Sequence, residues 1–84
     1  MRTLAEAQRR AMTEKARAAT VADHAYAQGW EDTADRMRQG ASADALQEAA
    51  LEARRAAGDW PLKQARAHGM QQATAWVTAD RADE

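Results

Sequence analysis

The stretch "AYAQGWEDTADRM" (residues 25–37) places a glycine directly before a tryptophan, inside a pattern that otherwise predicts a helix. Trp30 and Met37 are seven residues apart and therefore lie on one helical face. A glycine within a helix costs about 1 kcal/mol relative to alanine, so Gly29 needs a reason. Either it ends a helix, or another backbone approaches it closely. The apolar positions continue on the same helical face to Met37, and a clearer stop signal follows at Gly40. We therefore predict that another backbone approaches Gly29 closely.

A second stretch resembles the first. "ARAHGM" (65–70) and "AYAQGW" (25–30) share the pattern Ala-x-Ala-x-Gly followed by a large apolar residue. A repeat architecture ordinarily needs about three copies to bury a continuous face, so this similarity by itself is weak. It does predict that Gly69 also lies at a helix crossing, with Trp30 and Met70 covering the contact.

Upstream of the glycine, the sequence predicts helix from Thr3 onward. "TLAE" fits a capping box, in which Thr3 caps the helix and Glu6 reaches back to the cap amide. We predict one long first helix over residues 3–39. A second capping signal, "TVAD", begins at Thr20 and leaves an alternative: the first helix breaks near residue 20 and the fold has four helices.

Downstream, glycines and capping residues divide the chain into a helical hairpin. Gly40 is a C-terminal stop and Ser42 an N-cap, while Asp59 is the expected cap of a last helix that tolerates Pro61 in its first turn. The expected helices are 43–57 and 61–78. The fold class is therefore all-α, a small antiparallel three-helix bundle, with residues 1–78 as one domain and 79–84 as a frayed tail.

Composition limits the core of this domain. The 84 residues include 24 alanines but only 14 larger apolar residues. Each large side chain contributes roughly 1.5–3 kcal/mol when fully buried, against roughly 1–2 kcal/mol of backbone entropy per residue. We therefore expect a homo-oligomer, with a dimer favoured, or a protein partner. No apolar run has the length of a membrane span or a signal segment, and we expect a cytoplasmic protein.

The sequence contains no constellation typical of catalysis or cofactor binding. Cysteine is absent, and neither His24 nor His68 has a second histidine or a carboxylate one helical turn away. Ser42 is better explained as a cap than as a nucleophile. We predict a chain that is not an enzyme and that has no metal or cofactor.

The most specific surface feature is an acidic row on the second predicted helix. Asp44, Glu48 and Glu52 recur every fourth residue, which destabilises an isolated helix by a few tenths of a kcal/mol per pair. Such a row is expected where positive charge lies opposite it. That charge could belong to the first helix, to a second subunit or to a partner protein. Leu51 lies about 140° from Leu46 and beside this row, where a leucine has no packing role in a monomer. We predict that Asp44, Glu48, Leu51 and Glu52 contact a protein.

The N-terminal segment has the opposite charge. Its basic residues Arg9, Arg10, Lys15 and Arg17 are candidate phosphate contacts, which makes a nucleic-acid-binding regulator the alternative function. Against it, acidic residues are interspersed, and a solvated helix face with pairs such as Glu6 with Arg10 explains the pattern more simply.

Together these features predict a non-enzymatic protein-binding module. The abundance of alanine and the ten arginines against two lysines indicate GC-rich codons and hence a bacterial or phage source. The small size and the lack of catalytic or cofactor-binding motifs fit a small inhibitor or regulator encoded by a phage or other mobile element. An anti-defence protein such as an anti-CRISPR is one example of this type.

Overall fold

The computed structural model describes residues 1–79, and within them the chain forms four helices and no strand. The helices are α1 (Leu4–Arg17), α2 (Val21–Arg38), α3 (Ala43–Ala57) and α4 (Pro61–Thr78). Helix α1 packs on α2, α3 packs on α4, and the broad contact between α2 and α4 joins these two hairpins. The predicted all-α bundle is confirmed. Within residues 1–79, no helix has both the length and the apolar character needed to cross a membrane.

The prediction of one long helix over residues 3–39 is wrong, and the four-helix alternative holds. Helix α1 ends at Arg17, and Thr20 caps α2. The backbone N–H of Asp23 donates to Thr20 Oγ1 at 3.0 Å, and the Thr20 N–H donates to Asp23 Oδ2 at 3.2 Å. These bonds satisfy backbone N–H donors that a helix start leaves unpaired, so α2 begins after only three intervening residues.

The remaining caps agree with the sequence except at α4. The capping box of Thr3 and Glu6 is present, and the Ser42 hydroxyl accepts from the Ala45 N–H at 3.1 Å. Asp59, in contrast, does not cap α4, because Trp60 occupies the N-cap position and makes no side-chain capping bond. Pro61 at the start of the helix lacks an N–H, which lowers the need for such a bond.

The crossing of α2 and α4 confirms the predicted role of both glycines. A Cβ atom added to Gly29 would collide with the Arg66 carbonyl oxygen and lie 2.6 Å from the Met70 nitrogen. A Cβ atom added to Gly69 would collide with the Tyr26 carbonyl oxygen. The obstacles are backbone atoms that cannot rotate away, so only glycine permits this interhelical distance.

Two clusters of buried side chains, with partly buried neighbours, form the core. The first brings together all four helices through Ala7, Ala34, Leu46 and Val77. The second contains Ala11, Trp30 and Ala73, with Tyr26 and Trp76 packed against it. Alanine supplies most of the buried apolar residues, as the composition predicts, and allows the helices to approach closely.

The second hairpin repeats the first. The burial pattern of α2 recurs in α4 at an offset of 40 residues, so that Gly29 corresponds to Gly69. In the outer helices the buried Ala7 and Ala11 of α1 correspond to Leu46 and Ala50 of α3. The reciprocal contacts of the two glycines show that an approximate twofold axis passes between them. Residues 80–84, which include most of the predicted tail, lie outside the described residues.

Candidate functional site

A shallow groove between α3 and α4 contains the leucine that the sequence singled out. The groove has a volume of about 290 Å³, and its lining includes Ala50 and Thr74. Leu51 also lines it and exposes 49% of its surface. The other lining residues are Gln47, Gln71, Ala75 and Thr78. A large apolar side chain in an otherwise small and uncharged groove offers an anchor for a partner's side chain.

One residue that lines the groove has a buried hydroxyl group without a hydrogen-bond partner. The Thr74 hydroxyl is buried, the residue is 5% exposed, and its Oγ1 has no partner among the described residues. A buried polar group without a partner costs free energy comparable to a lost hydrogen bond.

The acidic row lies on the solvent side of Leu51. Asp44, Glu48 and Glu52 are all exposed, as predicted for a surface feature. The nearest positive charge is Arg55 of the same helix, which lies 3.7 Å from Glu48 and 3.2 Å from Glu52. Helix α1 does not compensate the row, because these pairs lie within α3. One arginine against three carboxylates leaves this strip acidic. We call the groove and the acidic row together the Leu51 surface.

A second groove lies at the equivalent place on the first hairpin. It has a volume of about 620 Å³ and is lined by Gln8, Ala11, Met12, Lys15, Ala16, Glu31, Ala34 and Asp35. Met12 corresponds to Leu51 and is the more exposed of the two, at 72%. We call this groove and the adjoining outer face of α1 the Met12 surface. Met12 is not among the residues that we predicted from the sequence to contact a protein. The sequence repeat around the two glycines has an offset of 40 residues and would pair Met12 with Glu52, whereas the buried residues of α1 and α3 correspond at an offset of 39, which pairs Met12 with Leu51.

Two of the four basic residues of the alternative site, Arg10 and Lys15, make contacts within the chain. The Arg10 guanidinium lies over the rings of Trp30 and Trp76, at 4.5 and 5.1 Å from their centroids, and its Nε donates to Glu14 at 2.8 Å. Lys15 lies 3.6 Å from Glu31 across the hairpin. Arg9 and Arg17 remain exposed. The predicted pair of Glu6 with Arg10 is also absent, since Glu6 lies near Arg2 and bonds to Thr3.

Further concave and exposed features lie outside these two grooves, and one groove of about 240 Å³ is lined by Glu6, Arg9, Arg10, Thr13 and Trp76. A groove of about 540 Å³ beside Gly58 is lined largely by polar side chains, including Arg54, Gln64 and His68. Trp60 is 68% exposed and follows the turn before α4, with Lys63 over its ring. Among residues 1–79, no three His, Asp or Glu side chains are grouped so that they could hold a metal ion.

Among residues 1–79, two carboxyl groups have lowered pKa values, and both belong to capping boxes. The pKa of Glu6 lies below its ordinary value because the Thr3 backbone N–H donates to it. The pKa of Asp23 is lowered by the backbone N–H groups of Ala19 and Thr20. Hydrogen bonds to the charged form account for both directions. These shifts therefore reflect helix capping and do not indicate a reaction site.

Comparison of the chain with protein-family models, with curated proteins and with solved structures found no match.

Proposed function

We propose that the chain is a non-enzymatic protein-binding module and that the Leu51 surface is its binding surface. The observation that carries this proposal is the position of Leu51, half-exposed on a shallow groove and bordered by the acidic row. An exposed apolar anchor surrounded by polar groups is the arrangement found at the centres of protein interfaces.

The chemistry of this surface indicates the kind of partner. A partner side chain that is apolar enters the groove beside Leu51, and basic groups next to it meet Asp44 and Glu48. Charge of this kind speeds association and selects among partners more than it adds affinity. We propose that the chain binds a larger protein in the cell and inhibits or regulates it, as an inhibitor encoded by a phage or mobile element would.

Site-specific photocrosslinking tests this function. A photoreactive residue is placed at position 51 and, as the matched control, at position 62, because Leu62 is also 49% exposed. In lysate of the native host we expect a discrete adduct of foreign protein from position 51 and none from position 62. Reversing the acidic row with Asp44→Lys, Glu48→Lys and Glu52→Lys should remove that adduct.

Two results would contradict the proposal. The first is adduct formation that is equal at the two positions or unchanged by the charge reversal. The second is co-purification with nucleic acid that is lost at high salt and after reversal of Arg9 and Arg17 to Glu. That second result would favour a nucleic-acid-binding regulator, because phosphate contacts weaken steeply as salt rises.

A further inference from the structure

The two hairpins carry equivalent grooves with an exposed apolar side chain at the same position. Gln8, Ala11 and Met12 of α1 correspond to Gln47, Ala50 and Leu51 of α3, and each set lines the groove of its own hairpin. Across the grooves, Glu31, Ala34 and Asp35 of α2 correspond to Gln71, Thr74 and Ala75 of α4. The shape of the site is therefore present twice, once on each hairpin.

The charged residues at the equivalent outer position beside these grooves differ in sign. Arg9 lies three residues before Met12 and occupies the place that Glu48 holds three residues before Leu51. Both side chains are on the outer, solvent-facing side of their helix. The two carboxylates that line the Met12 groove have basic partners, Lys15 at 3.6 Å from Glu31 and Arg38 at 3.8 Å from Asp35, which leaves Arg9 as the exposed positive charge beside Met12. Beside Leu51, two of the three carboxylates share Arg55. The Met12 surface is therefore the more basic of the two and the Leu51 surface the more acidic.

We propose that the chain associates with itself head to tail, with the Met12 surface of one copy packed against the Leu51 surface of the next. This inference rests on the proposed function, because it uses the Leu51 surface as a protein-binding surface and names a second copy as its occupant. In this contact Arg9 of one copy meets Glu48 and Glu52 of the other. Met12 and Leu51 both lose their exposure to water.

A contact of each surface with its own copy is less favourable. Two Leu51 surfaces facing each other would bring two acidic rows together, and like charges in close opposition are repulsive. A head-to-tail contact joins different surfaces, so each copy uses its two surfaces with two different neighbours, and an open assembly leaves one Met12 surface and one Leu51 surface free at its ends. Such association forms a ring where the rotation between copies closes, and an open chain where it does not.

The experiment is sedimentation velocity over a range of concentrations, on the full chain and on two variants, Met12→Gln and Leu51→Gln. Matched controls are Val21→Gln and Leu62→Gln, since Val21 is 68% exposed and Leu62 is 49% exposed. For the unchanged chain we expect an average mass that rises above the monomer with concentration. Each of the two test variants should lower the association constant at least tenfold, and the controls should not.

Mixing the two test variants gives the decisive measurement. The Met12→Gln chain keeps an intact Leu51 surface, and the Leu51→Gln chain keeps an intact Met12 surface. An equimolar mixture should therefore restore a species of two chains and nothing larger. Far-UV circular dichroism should show unchanged helix content in both variants. If glutamine disturbs the helix, the alanine variants at the same positions replace it, since alanine favours helix.

Three outcomes would overturn the inference: a monomer at every concentration, association that neither variant weakens, or a mixture that restores nothing. These outcomes are separate from failure of the proposed function. A monomeric chain that still crosslinks a foreign protein from position 51 contradicts self-association alone. If the mixture restores the two-chain species but position 51 captures no foreign protein, the proposal of a larger protein partner fails and self-association stands.

Discussion

At the scale of single residues, Gly29 and Gly69 set the distance between the two hairpins. Replacing either by alanine adds a methyl group that meets backbone carbonyl oxygen across the crossing. Alanine gains about 1 kcal/mol in helix propensity, but forcing the helices apart costs typically about 1–3 kcal/mol or more. We expect a net loss of about 1–2 kcal/mol for each variant, measured by urea denaturation.

The matched control for this prediction is Gln72→Ala, at an exposed position one turn after Gly69. This change gains helix propensity without meeting another helix, and its unfolding midpoint should stay within experimental error or rise slightly. Glycine variants as stable as this control would show that the crossing adapts without strain.

A second residue-scale prediction concerns Arg10, which links α1 to the aromatic core. Its guanidinium lies over two tryptophan rings and bonds to Glu14, whose side chain is 11% exposed. Arg10→Ala removes the cation–π contacts and leaves Glu14 nearly buried without that partner, so we expect a loss of about 1–3 kcal/mol. Its neighbour Arg9 is exposed, and Arg9→Ala should change stability by less than about 0.5 kcal/mol. Equal losses in the two variants would refute the role given to Arg10.

At the scale of helices, the capping box of Thr20 and Asp23 makes the start of α2 sensitive to pH. The pKa of Asp23 is lower in the folded chain because two backbone N–H groups donate to its carboxylate. Its stabilising contribution is therefore complete above the unfolded-state pKa and is lost as the pH falls through the folded-state pKa. Asp23→Asn should be less stable than the unchanged chain at about pH 7 and equally stable at about pH 2.

Thermal unfolding at several pH values measures this difference. The control is Asp59→Asn, because Asp59 caps no helix and its replacement should leave the pH profile unchanged. A stability difference for Asp23→Asn that persists at low pH would show that the carboxylate acts by some means other than its charged hydrogen bonds.

The helix starts show what could be predicted from the sequence and what could not. The caps at Thr3 and Ser42 and the span of α3 were predictable, because they depend on residues within one turn of each other. The break at residues 18–20 was visible only as an alternative. A capping box and a continuing apolar stripe gave opposite indications there, and the packing of α1 back onto α2 decides between them.

At the scale of the whole molecule, the candidate site was predictable in part. Leu51 and the acidic row follow from helical geometry within α3, and the structure places them on one exposed face. Met12 was missed, because its equivalence to Leu51 depends on the relation between two hairpins. Sequence similarity around the two glycines hinted at that relation, but only the reciprocal contact of α2 and α4 establishes it.

The N-terminal residues before α1 join the first hairpin to the end of the second, which yields the last prediction. The Arg2 backbone N–H donates to the Val77 carbonyl at 2.8 Å. Its side chain donates to the Trp76 carbonyl at 3.1 Å and lies 4.1 Å from the centroid of the Trp76 ring. Arg2→Ala removes the two side-chain contacts and should cost about 1–2 kcal/mol, which lowers the melting temperature by roughly 4–16 °C in a domain of this size.

Circular dichroism and tryptophan fluorescence should report the same lowered midpoint for Arg2→Ala, because the shared core clusters make the two hairpins unfold together. The control is Arg36→Ala, an exposed arginine of α2 whose removal should leave the midpoint unchanged. Two separate transitions in the Arg2 variant would show that the hairpins are independent units and that the N-terminal contact is what couples them. An unchanged midpoint would show that the crossing of α2 and α4 is sufficient to hold the hairpins together.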